Sequence, residues 1–115
     1  ALAARKAKVN AVGVIGVVHD RNNSRTLISG ALIVFLTPGT SIQEWIDADF
    51  ADNLVHASGT SNRRGEFQLD NTVTPGESYS VVVVHDDYEP IAADDHQIPE
   101  DATDPYELDV AMDPS

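Results

Sequence analysis

Between Ala11 and Met112 the chain repeatedly builds a short run of valine, isoleucine, leucine or aromatic residues and breaks it with glycine, proline, asparagine or aspartate. Runs this short leave no room for long helices, and β-branched side chains fit a pleated surface. Strands are expected over residues 11–19, 31–37, 54–60, 66–70, 78–85, 88–92 and 106–112. The breaks are Asp20 to Ser24, Pro38 with Gly39, Ser61 to Gly65 and Thr74 to Gly76, each with turn chemistry. Residues 94–105 read as a polar, irregular connection. Seven short strands with regular turns make an all-β, seven-stranded antiparallel sandwich of two sheets.

One segment departs from the pattern. Ser41 to Asp52 reads as a short helix inserted after the second strand, with Ser41 and Glu44 forming a capping box. Ile42, Trp45, Ile46 and Phe50 follow helical spacing on one face, while Asp47, Asp49 and Asp52 fall mostly on the other. The helix is expected to lie over the sandwich or plug one end, burying Trp45.

Length and charge narrow the class. The 115 residues suit one domain, and 42% hydrophobic residues suffice for a core. Net charge is −12, which argues against nucleic acid and anionic lipid as partners. No apolar run approaches the roughly 20 residues that cross a bilayer as a helix, so no membrane insertion of this segment is expected. With no cysteine, disulfides and thiolate metal sites are excluded. Residues 1–10 read as a linker or N-terminal extension, and residues 11–115 as the domain. Arg5, Lys6 and Lys8 supply three of the seven basic residues, and none follows Arg64.

The order of motifs resembles the carboxypeptidase-regulatory-like, or transthyretin-like, family. The residues that carry it are Gly16, Val18 and Asp20; Gly30 with Ala31; Ser61, Asn62, Gly65 and Phe67; Pro75 with Gly76; Tyr79, Val81 and Val83; and Asp87 with Tyr88. Ser61 and Asn62 replace a Thr-Asp pair of the family pattern, and Asp87 replaces a glycine. The resemblance implies an Ig-like, transthyretin-like sandwich attached to exported or surface proteins, peptidases among them. Such domains assist folding, spacing or binding and do no chemistry.

Candidate chemistry is sparse. The histidines, His19, His56, His85 and His96, show no metalloenzyme spacing, and no nucleophile elbow exists. No catalytic residue and no resident cofactor is assigned. Calcium is the one metal the sequence admits, through loop carboxylates Asp86, Asp87, Asp94, Asp95, Asp101 and Asp104; a solvated acidic loop is the favoured explanation of them. Carbohydrate binding needs exposed aromatic platforms. Trp45 reads as core, and Tyr88 is the one uncommitted aromatic.

Partner surfaces leave a clearer trace. In Leu32 to Leu36 both faces are apolar: Ala31, Ile33 and Phe35 fit one, Leu32, Val34 and Leu36 the other. Either the helix covers the second face or a neighbouring domain or subunit does. The interaction candidates are therefore Arg5, Lys6, Lys8, Leu32, Val34, Leu36 and Tyr88. The leading expectation is a non-catalytic accessory or interaction module of an extracellular or cell-surface protein, with attachment to a peptidase as the family precedent and a protein as its partner. A self-assembling structural subunit that uses its N-terminal segment, hence a homo-oligomer, is the second expectation. A calcium- or carbohydrate-binding module is the third.

Overall fold

The computed structural model describes residues 11–115; residues 1–10, with Arg5, Lys6 and Lys8, lie outside the described residues. The strands are β1 (Val14–Asp20), β2 (Asn23–Leu27), β3 (Leu32–Leu36), β4 (Val55–Thr60), β5 (Glu66–Gln68), β6 (Ser78–His85), β7 (Tyr88–Gln97) and β8 (Tyr106–Met112). One helix, α1 (Ile42–Asp47), and a 3-10 turn at Asp52–Leu54 join β3 to β4.

Two four-stranded sheets result. The first is built around β1. On one side β8 runs parallel to it, from Val14 opposite Tyr106 to Asp20 opposite Met112. The other side is shared, with β5 pairing antiparallel to Ile15–Val17 and β2 to His19 and Asp20. The second sheet has the order β4-β3-β6-β7, antiparallel throughout. The all-β, two-sheet expectation with one inserted helix is met. Two details correct it: the pairing of β1 with β8 is parallel, and Asn23–Leu27 is an eighth strand where only turn and loop were expected. All five residues of β2 are exposed, so no apolar alternation marks it.

The core lies between the sheets and comes from one face of the strands other than β2. Val14, Val18, Ile33, Phe35, Ala57, Phe67, Tyr79, Val83 and Met112 are all buried there. Tyr79 packs on Phe35 with ring centroids 5.8 Å apart, and its hydroxyl accepts from the Thr74 N–H at 2.8 Å. That bond makes burial of a phenol tolerable. Buried Ser61 is satisfied likewise, donating to Ile28 O at 2.7 Å and accepting from Ala31 N at 2.9 Å. The neighbouring turn keeps its geometry with asparagine: Asn62 Oδ1 accepts from Arg64 N at 2.9 Å and Glu66 N at 3.0 Å, and Gly65 takes φ 73°. An amide oxygen does here what a carboxylate oxygen would do.

A second, smaller cluster lies outside the second sheet. Val34, Leu36 and Val82 are covered there by Ile42, Trp45 and Val55. The capping box of Ser41 and Glu44 is present. The helix is shorter than expected because Asp49 and Phe50 adopt left-handed φ values of 56° and 58°. Ile46 and Phe50 consequently stay exposed, and no residue of α1 is fully buried. Trp45 is half-buried, with its ring edge-on to Phe50 at 5.1 Å and Nε1 donating to Ala51 O at 3.2 Å. Full burial of Trp45 is therefore corrected. Trp45→Ala is expected to cost about 2 kcal/mol in urea denaturation, below the range of a fully buried tryptophan. A loss as large as that of a fully buried ring would contradict this packing.

β7 corrects another expectation. It continues to Gln97, through residues 94–97 that were read as irregular. Asp94 and Asp95 are tolerated because β7 pairs with β6 alone and most of its side chains face solvent.

Candidate functional site

Alternation along β1 sends Val14, Gly16 and Val18 inward and Ile15, Val17 and His19 outward. On the outer face Ile15 stands between Glu107 and Gln68, and Val17 between Asp109 and Glu66. Thr60 and Asn62 extend the rim. Together they form an open trough of about 880 Å³. Its floor is a half-buried aliphatic stripe, and its two walls are acidic or polar.

Charge on the walls is unevenly compensated. His19 Nε2 lies 3.0 and 3.1 Å from the Asp109 carboxylate oxygens, and Nδ1 lies 3.0 Å from Asp20 O. Only an imidazolium can donate to both, so the Asp20 carbonyl, and then Asp109, raise the His19 pKa. Glu66 meets Arg64 at 3.4 Å. Among the described residues Glu107 has no ion pair.

The residues expected from sequence are dispersed. Leu32 is exposed beside Val84 in a smaller hollow of about 310 Å³ that includes His85, Asp86 and Pro90. Val34 and Leu36 are 4% and 0% exposed beneath the helix, so they are corrected from partner surface to packing. Tyr88 is not uncommitted. Its hydroxyl donates to Asp20 Oδ2 at 3.0 Å, which ties the two sheets together, and its ring meets His85 of the neighbouring strand edge-on. Burial, then the Asp20 contact, raises its pKa.

The six aspartates fall in three places. Asp86 and Asp87 form the β6–β7 turn, Asp94 and Asp95 lie roughly 20 Å further along β7, and Asp101 and Asp104 sit in the loop before β8. Asp94 Oδ1 accepts from Ile42 N at 3.0 Å and lies 2.8 Å from Ser80 Oγ; Asp104 Oδ1 accepts from Gly13 N at 3.0 Å. Among the described residues no group of three or more His, Asp or Glu is placed to hold a metal ion. The acidic residues that do share a surface are Glu66, Glu107 and Asp109. Ile15 and Val17 were legible as outward apolar residues by the same two-faced pattern that marks Leu32 to Leu36.

The other histidines are engaged elsewhere. His56 and His85 face the carbonyls of Thr72 and Ser29, and His96 Nε2 lies 3.3 Å from the Tyr106 hydroxyl. Burial lowers the His96 pKa. Its folded pKa is thus below its unfolded value, so its contribution is present above about pH 6.5 and is lost as pH falls through and below that value. His19 acts oppositely: its stabilisation is complete below about pH 6.5 and is lost as pH rises through its folded pKa. Melting scans from pH 5 to 8 should therefore separate the two. His96→Gln should lose less stability on acidification than the parent, and His19→Gln should lose more. Parallel curves for all three chains would refute both assignments.

No protein-family model matches the chain, and no curated protein matches it in sequence.

Proposed function

We propose that this chain is a non-catalytic interaction module of an exported or cell-surface protein, and that it engages a protein partner through the outer face of the first sheet. The observation that carries the reading is the trough: a stripe of Ile15 and Val17 between Glu107 and Asp109 on one side and Gln68 and Glu66 on the other. A small-molecule site encloses most of its ligand, whereas this hollow is open along one side and suits a polypeptide segment laid across it. Apolar floor and acidic walls favour a segment that alternates aliphatic and basic residues. The motif order shared with carboxypeptidase-regulatory-like domains supports a transthyretin-like sandwich in an accessory role.

A synthetic peptide of alternating lysine and valine tests this. Titrated into the labelled chain, it should move amide signals of residues 15–19, 66–68 and 107–109. The double variant Glu66→Lys, Glu107→Lys should weaken binding by about tenfold or more. Shifts scattered over the aspartates of residues 86–104, or binding indifferent to the substitutions, would sink the reading.

A further inference from the structure

β8 uses one of its two edges. Backbone N–H and C=O groups point alternately to the two sides of a strand. Tyr106 N donates to Gly13 O at 2.7 Å, and Met112 O accepts from Arg21 N at 2.9 Å, so even-numbered residues of β8 face β1. The backbone groups of Glu107, Asp109 and Ala111 point the other way. Among the described residues no strand pairs with them there, and only the Arg21 side chain reaches Ala111 O, at 3.2 Å.

The other long edges are guarded. β4 is covered by Asp70 and Asn71, which bond to the backbone of Ser58 and His56. β7 carries Pro90 and a left-handed Asp95, and its start is bridged to Pro114. β8 has neither proline nor a register shift across its seven pairs with β1. A regular, uncovered edge invites an added strand.

The chain carries a sequence complementary to that edge. Lys6 and Lys8 are two residues apart, as are Glu107 and Asp109, and Ala7 and Val9 alternate with them as Leu108 and Val110 do. We propose that the free edge of β8 accepts residues 5–9 of a second copy as an added strand. Lys6 and Lys8 then stand on the outer face against Glu107 and Asp109, while Ala7 and Val9 share the inner face with Leu108 and Val110. Opposite charges directly across a sheet stabilise the pair, and the period of two satisfies both faces together.

The donor is a second copy rather than the same chain. Val12 bridges Val73, which follows β5, so the entry to β1 is held on the side away from β8. To reach its own β8 edge, the chain would cross two strand spacings, about 10 Å, and climb three residues, about another 10 Å. Four residue steps from Val12 to Lys8 span about 14 Å fully extended, which leaves no slack for reversing direction.

This proposal rests on the first sheet being an interaction surface, and its test separates the two. Sedimentation velocity on the full chain, from micromolar to millimolar at low and high salt, should show association that salt weakens. Lys6→Glu with Lys8→Glu, and separately Glu107→Lys with Asp109→Lys, should each reduce association by about tenfold or more, and an equimolar mixture of the two variants should restore it as a mixed dimer. As a second measurement, a Lys8→Cys chain mixed with a Glu107→Cys chain should form a mixed disulfide under mild oxidation. A chain that stays monomeric at millimolar concentration and low salt overturns the proposal, as does a mixture that restores nothing. If the lysine–valine peptide binds while the chain stays monomeric, only the second-copy donor falls; if neither associates, the interaction reading falls too.

Discussion

Gly16→Val is expected to destabilise the domain by about 3 kcal/mol, near the upper end for overpacking. A Cβ at this position would lie 2.3 Å from Leu108 O and 2.6 Å from Phe67 Cζ. The first contact is with the backbone of the neighbouring strand, which cannot rotate away. The second is with a buried ring that fills the volume a side chain would occupy. Relief requires β1 and β8 to separate, and that breaks the longest ladder of the first sheet. Urea denaturation measures the effect, and a midpoint unchanged from the parent would show that β8 is not seated on β1 as described.

Phe35→Ala should cost about 3–5 kcal/mol by leaving a cavity between the sheets. Phe35 is fully buried, 5.8 Å from Tyr79 and 6.2 Å from His96 by ring centroids. Its neighbours come from several strands, so they cannot collapse together into the space. Phe35→Leu, which keeps most of the volume, should retain most of that stability. An equal loss for both variants would mean that the ring's shape, rather than the filled volume, decides the outcome. Stabilities of domains this size are about 5–15 kcal/mol, so either large change consumes much of the margin.

Much of the architecture was legible because strand periodicity is a local property. The split of Leu32 to Leu36 into an inner set and an outer set is a consequence of alternation, and the structure buries Ile33 and Phe35 as expected. The strands 78–85 and 106–112 keep their expected bounds. What was missed depends on partners. Period two is the same in parallel and antiparallel pairs, so nothing in Tyr106 to Met112 reveals that β8 runs alongside β1 in the same direction. β2 lacks apolar residues to alternate, and β7 continues through two aspartates because it lies at an edge. The helix stops where Asp49 and Phe50 turn left-handed, a departure that helical spacing does not reveal. The trough was illegible for a similar reason. Glu66, Val17 and Asp109 are distant in sequence, and only the order β5-β1-β8 sets them side by side.

The parallel seating of β8 on β1 also governs how the chain reaches this state. The first strand made waits for the last: about ninety residues must emerge before Val14 meets Tyr106, as their numbers show. Contacts between such distant segments form slowly, because the loop between them must close before the pairing rewards it. Until then one side of β1 has no permanent neighbour, and its aliphatic residues are available to other chains. Stalling synthesis before residue 106 should therefore leave β1 protease-sensitive, and release of the last strand should complete protection of both sheets in one late step.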